Sequence, residues 1–260
     1  MITHPGISCE EEIKTVFSPD QLSFVDPKKC PKHIAIIMDG NRRWAKQRGL
    51  PPMMGHWEGA EVLTDIVCAA SELGVKTLTV YSFSTENWER SESEVQSLMN
   101  IFELYLVRKR ALMVRQGIRL DAIGDLSRLP EAVKTVFKET KEITRNGNKI
   151  NLILAMNYGS RDEIRRAVVK ILQSHTKRPL NIEQITEEFI ADHLDTKDWG
   201  DPDLLIRTSG EMRLSNFLLW QISYTELFVT DVLWPDFSPK KLYEAVLAFQ
   251  QRSRRHGGSL

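Results

Sequence analysis

An α/β fold, one domain with a central, mostly parallel sheet of about six strands flanked by helices, is what the sequence predicts. Three observations carry this. From His33 onward, short β-branched runs alternate with longer segments of helical apolar spacing. Ile34 to Met38 is apolar without polar alternation, as a central parallel strand covered on both faces should be. Several of the apolar runs end in polar, Gly-containing text, and in a parallel sheet all such ends share one edge.

Taken in order, residues 1–31 are polar and proline-punctuated and read as a loose or partly helical arm, with the folded domain over 32–260. Strands are predicted at Ile34 to Met38, Thr77 to Phe83, Ile118 to Ile123, Ile150 to Met156 and Leu204 to Arg207, with a short one near Leu227 to Val229. Apolar residues recur at helical spacing over Gly55 to Leu73, Glu92 to Gln116, Pro130 to Asn146, Arg161 to Ser174, Ile182 to His193 and Pro239 to Arg254. Gly74, Gly117 and Gly147 stand where C-caps would be. No internal repeat or Pro/Gly/Ser-rich linker divides the chain.

A chain of 260 residues can bury a large core. Lys plus Arg equals Asp plus Glu at 35 each, so no global basic field draws the protein onto nucleic acid, and any anion site is local. The three cysteines, Cys9, Cys30 and Cys68, have neither disulfide-framework nor zinc spacing; they read as inert thiols of a reducing compartment. With no apolar run able to span a bilayer and no secretory leader in the first 30 residues, the expectation is a cytoplasmic protein that can still touch a membrane at its periphery.

The chemistry gathers at strand ends. Asp39, Gly40, Asn41 and Arg43 follow the first strand; Ser84 to Arg90 follow the second; Asn157 to Arg161 follow the fourth; Arg207 to Ser215 follow the fifth. One crevice holding Asp39, Arg43, Asn87, Arg90, Arg207 and Arg213 would result. A carboxylate among four arginines suits a polyanion bound with Mg²⁺: Asp39 offers a hard ligand, Gly40 allows close backbone approach, and guanidinium forks hold phosphate bidentately. The same text fits a strand-to-helix turn in which Asp39 caps the next helix and the arginines are solvated. His56, opening a helix, reads as a phosphate donor, a general acid or a surface residue. Asn87 could orient a reacting group or fill an Asx-turn. Glu226 fits a subunit boundary or an ordinary strand flank.

With these segments in order, the chain resembles the cis-prenyltransferases, in particular the bacterial undecaprenyl diphosphate synthases. The matching text is HIAIIMDGNRRWAK from His33, Gly55-His56, YSFSTENWERS from Tyr81, INLILAMNYGSRDEI from Ile150, and the long stretch from Asp203 to Phe237, with Arg254 to Gly258 also similar. The resemblance implies cis-prenyl elongation, in which isopentenyl diphosphate condenses onto an allylic diphosphate, farnesyl diphosphate, to give undecaprenyl diphosphate or a similarly long product. By similarity, Asp39 positions Mg²⁺ on the leaving diphosphate; Gly40, Asn41, Arg42 and Arg43 cradle it, and Trp44 and His56 complete the subsite. Ser84, Thr85, Glu86, Asn87, Trp88 and Arg90 form a loop over the reacting centre, with Asn87 near the proton removal. Arg207, Arg213, Leu214 and Ser215 hold the second diphosphate, and Glu226 matches a second metal position. The resemblance also implies an apolar tunnel for the growing chain, for which Leu98, Met99, Phe102, Tyr105 and Leu106 share a helical face, and Ser82 leaves room for a long product. It further implies a homodimer, pairing through the region from Phe217 to Trp234.

Two positions depart from the pattern: Pro52 stands where an arginine is frequent, with Arg48 a candidate substitute, and Met212 where some members carry histidine. Ile36 to Gly40 superficially resembles a haloacid-dehalogenase phosphatase, but that chemistry needs an Asp nucleophile where Ile37 stands. All-helical trans-prenyltransferases are excluded because no DDxxD pair occurs. The remaining alternative is a non-catalytic partner subunit of the same fold.

Overall fold

The computed structural model of the protein describes residues 15–175 and 180–252. Six strands form one sheet: β1 (His33–Ile37), β2 (Thr77–Ser84), β3 (Ile118–Ile123), β4 (Ile150–Tyr158), β5 (Leu204–Arg207) and β6 (Glu226–Val229). Their order is β3-β4-β2-β1-β5-β6, and every neighbouring pair is parallel. Every side chain of β1 is buried, which is why its sequence shows no polar alternation. Ile34 and Ile36 enter the larger core with Leu63, Ile66, Leu106 and Val246, whereas Ala35 and Ile37 face a smaller one with Tyr158, Phe217 and Leu218.

Helices fill both faces. They are α1 (Pro19–Ser23), α2 (Asn41–Gln47), α3 (Pro52–Glu72), α4 (Glu92–Arg115), α5 (Glu131–Thr144), α6 (Ser160–Ser174), α7 (Glu187–Ala191) and α8 (Pro239–Gln250). The predicted helix over Ile182 to His193 is instead a 3₁₀ turn at Ile182–Gln184 followed by α7. Thr186, read as interior, is a cap whose hydroxyl accepts the Phe189 N–H at 3.1 Å. The helix α2, expected only in the alternative of a strand-to-helix turn, is present; its N-cap is Gly40, whose φ of 108° places it in the left-handed region. A side chain there would also strike Leu233, with the nearest atom at 2.9 Å.

The described part of the arm is anchored rather than loose. Glu72 accepts the backbone N–H groups of Val16 and Phe17, and the Phe17 ring meets Tyr243 at 5.5 Å. Residues 1–14, Cys9 and the Arg254 to Gly258 text lie outside the described residues. Burial raises the Cys30 and Cys68 thiols to about 11, so both are protonated at neutral pH, in keeping with inert cysteines.

His33 opens β1 with its ring buried between Gly200 and Thr79: Nδ1 lies 3.0 Å from the Gly200 carbonyl and Nε2 2.8 Å from the Thr79 hydroxyl. Burial lowers its pKa to about 4, against opposing pulls from the Gly200 carbonyl and Asp203. Between that value and the ordinary 6.5 the unfolded chain binds more protons than the folded one, so stability rises with pH across this window and is level above it. We expect urea midpoints to fall between pH 7 and pH 4.5, and the fall to shrink in His33→Gln; an equal pH slope in that variant would refute the assignment.

Candidate active site

The strand order reverses direction between β1 and β5: the chain leaves β1 towards β2 and leaves β5 towards β6. Ligand crevices form at such switch points, outside the carboxyl ends of the strands. Here a cleft of about 560 Å³ opens, lined by Met38, Asp39, Tyr81, Ser84, Glu86, Asn87, Arg90, Arg207, Arg213, Ser215 and Asn216.

An ion pair across the β1/β5 seam is its centre. Arg207 Nη2 donates to Asp39 Oδ2 at 2.9 Å, and Asp39 Oδ1 lies 3.5 Å from Arg43 Nη2. The Asp39 backbone is clamped: its N–H donates to Thr208 Oγ1 at 2.8 Å, and its carbonyl accepts from Trp234 N at 2.9 Å. Asp39 does not cap α2, because the N-cap is Gly40 with no side-chain bond. The carboxylate faces the arginines instead. The Arg207 side chain is only 6% exposed; Nη1 donates to Ser215 Oγ at 2.9 Å and to the Arg213 carbonyl. Arg43 bonds the Ser209 carbonyl at 3.2 Å and its hydroxyl, and approaches Glu211 at 3.3 Å. Arg213 is mostly exposed and paired with Glu211.

The segment after β2 closes one side. Residues Thr85–Glu89 form a 3₁₀ turn capped reciprocally by Ser84 and Asn87, with Asn87 Oδ1 accepting the Ser84 N–H at 3.1 Å. Asn87 is thus both a turn-former and a cleft residue. Glu86 accepts from Asn216 Nδ2 at 3.1 Å. Burial raises its carboxyl, but hydrogen bonds from its own N–H, Asn216, Ser84 and Thr85 together hold it below the usual range. Trp88 donates to Asn157 Oδ1 at 2.8 Å and Arg90 to Glu94 at 2.8 Å.

Beside the polar cleft lies a smaller apolar cavity of about 70 Å³ between the sheet, α3 and α4, lined by Leu63, Ser82, Leu98, Phe102, Tyr105 and Leu154 among others. Met38 borders both spaces. A register shift at the end of β2 leaves Ser82 unpaired between Tyr81 and Phe83. Tyr81 and Ser84 face the cleft while Ser82 faces the cavity. Met99 and Leu106 are buried in the core and do not line the cavity.

Asn41 and His56 line the apolar cavity, not the polar cleft. Asn41 Oδ1 and His56 Nε2 are buried without a hydrogen-bond partner. Burial, then the positive charge of Arg90 with that of Arg42, lowers His56 to about 4 against the pull of Glu94. A neutral imidazole has no extra proton to give at neutral pH, which argues for the hydrogen-bonding role over general acid.

Other predicted residues stand further out. Arg42 reaches Glu94 at 3.8 Å, Trp44 donates to Asp236 at 2.7 Å, and Thr85 donates to Glu86 at 3.1 Å. Leu214 packs against the smaller core. Arg48 lies 4.2 Å above the Trp44 ring and pairs with Asp236 at 3.0 Å, so it is engaged away from the cleft; Pro52 begins α3, and Met212 is exposed. Glu226 opens β6 opposite Leu204, at the amino edge of the sheet, where Arg252 pairs with it at 2.6 Å. Within one chain it does not meet Asp39.

Sequence reading passed over Thr208, Ser209, Asn216 and Tyr81. The first two directly follow β5 and were visible as polar strand-end text. Ser209, Ser215, Asn216 and Asn157 all have positive φ, a cluster of uncommon backbone around one cleft.

Among the described residues, no group of three His, Cys, Asp or Glu side chains could hold a metal. The donor set fits Mg²⁺ in a narrower way: one carboxylate, Asp39, with phosphate oxygens and water completing the shell.

The fold and site together define an open parallel α/β protein with a cationic crevice at its switch point and an adjoining apolar cavity. The profile of a family described as putative undecaprenyl diphosphate synthase matches residues 37–257. The chain belongs to this prenyltransferase family. It is 50% identical over 231 residues to an isoprenyl transferase of Fusobacterium nucleatum, covering 89% of this chain and 97% of that one. It is 46% identical over 238 residues to the isoprenyl transferase of Chlamydia pneumoniae, covering 90% and 95%. Among solved structures, lavandulyl diphosphate synthase from Lavandula x intermedia, in complex with dimethylallyl diphosphate, has a TM-score of 0.86 at 39% identity and covers 89% of this chain and 100% of that one. A probable undecaprenyl diphosphate synthase from Campylobacter jejuni has a TM-score of 0.73 at 31% identity, covering 88% and 99%.

Proposed function

We propose that the protein elongates an allylic diphosphate, farnesyl diphosphate, with isopentenyl diphosphate in cis geometry, to a long polyprenyl diphosphate such as undecaprenyl diphosphate. The observation that carries this is the junction at Met38 of a cleft containing Asp39, Arg90, Arg207 and Arg213 with a cavity lined by Leu63, Leu98 and Phe102. A prenyl diphosphate has two matching ends.

In this reading the allylic carbon–oxygen bond breaks and its electron pair leaves with diphosphate. The double bond of isopentenyl diphosphate attacks the allylic C1, and the C2 proton of the new unit passes to a diphosphate oxygen or to water. Asp39 would hold Mg²⁺, which would supply neutralisation of the charge developing on the departing diphosphate. Arg43 and the Gly40 turn hold that diphosphate on the Asp39 side of the cleft. Arg207, Arg213 and Ser215 hold the second, and Asn87, fixed by its capping bond to Ser84, lies at the reacting centre. The neutral His56 and the Asn41 amide offer uncharged hydrogen-bonding groups to the substrate end that enters the cavity. The working protein is proposed to be a homodimer with peripheral membrane contact. Phe217 and Trp234, the ends of the predicted pairing region, are buried within the chain, and Leu219, Tyr224, Leu227 and Val229 are the large apolar side chains that region exposes.

The test is incubation of purified protein with farnesyl or dimethylallyl diphosphate, labelled isopentenyl diphosphate and Mg²⁺, with chromatography of the lipid. A ladder of elongated products supports the reading; its absence, with or without a partner protein, supports the non-catalytic subunit. Ser82→Phe fills the cavity beside Leu154, and we expect it to shorten the product distribution while leaving the first condensations intact. An unchanged distribution would place the hydrocarbon elsewhere.

A further inference from the structure

Lysines stand immediately before three adjacent strands of the sheet: Lys32 before β1, Lys76 before β2 and Lys149 before β4. Their backbones are stitched together, since Lys76 N–H donates to the Lys32 carbonyl at 2.8 Å and Asn151 N–H to the Lys76 carbonyl at 2.9 Å. Strands are about 4.8 Å apart, so three cations are spread along the amino edge, opposite the reaction cleft. Lys28 and Lys29 join them, lining with Lys32 and Arg252 an open groove of about 520 Å³.

All five lysines are exposed, and among the described residues none is ion-paired with a carboxylate. The nearby acids are engaged otherwise: Asp26 accepts the Lys28 N–H at 2.9 Å, Asp203 the Lys32 N–H at 2.7 Å, and Glu226 pairs with Arg252. Elsewhere the protein does pair lysines, with Lys109, Lys134, Lys141, Lys170 and Lys241 each within 3.2 Å of a carboxylate. Large apolar side chains stand out at the same edge. Phe24 is 71% exposed beside the lysine segment, and Val114 and Ile143, on the last turns of α4 and α5, are each 49% exposed.

We propose that this amino edge docks on an anionic lipid bilayer, with the lysines at the headgroups and Phe24, Val114 and Ile143 in the interface. Unpaired lysines around protruding apolar residues match a surface that is negative outside and apolar beneath. A nucleic acid or a free phosphate would use the lysines but give Val114 and Ile143 nothing to enter. The direction of the fold gives the contact a purpose, a part of the argument that rests on the prenyl-elongation reading. Helices α3 and α4 run from the cleft edge to the amino edge and flank the apolar cavity. A chain growing away from the diphosphates along them travels toward this face.

The full-length protein would be sedimented with phosphatidylcholine vesicles with and without phosphatidylglycerol, in the absence of substrate. Binding is expected only with phosphatidylglycerol, and it should weaken with added salt. Lys28→Glu/Lys29→Glu/Lys76→Glu should lower it by more than about tenfold, and Phe24→Ser less steeply, with unchanged melting temperature and unchanged product formation in detergent. Wild-type binding by the triple variant, no binding by the wild type, or displacement from vesicles by millimolar inorganic phosphate or a short oligonucleotide would overturn the proposal. Vesicle binding without any elongation in detergent would instead overturn the enzymatic reading and leave the docking face standing.

Discussion

Asp39→Ala is expected to lower kcat by at least about two to three orders of magnitude with the proposed substrates, the range lost when one preorganised charge-stabilising group is removed from an active site. The structure adds a second effect. Arg207 is almost fully buried, its Nε has no partner, and Asp39 is the carboxylate opposite its Nη2 at 2.9 Å. Removing the carboxylate strands a buried guanidinium, so the variant should also be less stable, by about 2 kcal/mol once the partial exposure of Asp39 is allowed for. Asp39→Asn separates the two effects: its amide oxygen can still accept from Arg207, so stability should largely return while turnover does not. Turnover within about threefold of wild type in Asp39→Ala would remove Asp39 from the chemistry, whatever the stability.

Glu163→Ala should have the largest effect of any residue outside the cleft. Its carboxylate is 1% exposed and collects three donors: Tyr158 Oη at 2.6 Å, Gln221 Nε2 at 3.0 Å and the Asp195 N–H at 2.9 Å. Leaving these unpaired in a buried site costs about 3 kcal/mol. The network also holds the segment proposed to carry the ligands of the second diphosphate. Ser160 N–H donates to the Asn216 carbonyl at 2.7 Å, Arg161 N–H to Asn216 Oδ1 at 3.0 Å, and Leu219 N–H to Ser160 Oγ at 3.0 Å. Ser215, Asn216 and Leu218 have φ between 48° and 61°, a conformation that the surroundings must enforce. Glu163→Ala should therefore raise KM for isopentenyl diphosphate by about tenfold or more, with a smaller change in KM for the allylic substrate, and Glu163→Gln should recover part of both. Equal shifts in the two KM values would mean that the network serves only stability.

The strands were legible because a parallel sheet buries both faces of its central members, so β1, β4 and β5 are written as nearly unbroken apolar runs. The cleft was legible for a related reason: once strand direction is known, text following a strand must lie at the carboxyl edge, and Asp39, Arg207, Arg213 and Ser215 do line it. The same logic applied to Glu226 would have placed it at the opposite edge, because it stands at the start of its strand. What could not be read was rotation about helix axes. Asn41 and His56 lie within the right segments, but only the packing of α2 on α3 turns them toward the apolar cavity. The helix α2 stood only as an alternative because a seven-residue helix has little stability of its own and depends on tertiary contact. Thr186 was missed because a capping threonine and an interior one look alike until the chain is seen to turn.

The Ser84–Asn87 turn makes its own internal bonds, so its shape does not depend on the rest of the protein. Side chains tie it to its surroundings: Glu86 to Asn216, and Trp88 to Asn157, with the Trp88 ring also set edge-on against Phe83 at 5.0 Å and 5.0 Å below the Arg128 guanidinium. Asn87 is thereby held on two sides, by its capping bond to Ser84 and by the neighbouring Trp88 seated on the core, and meets the cleft in one preset pose. Under the proposed reaction, every addition would meet the same Asn87 pose without any search through loop conformations.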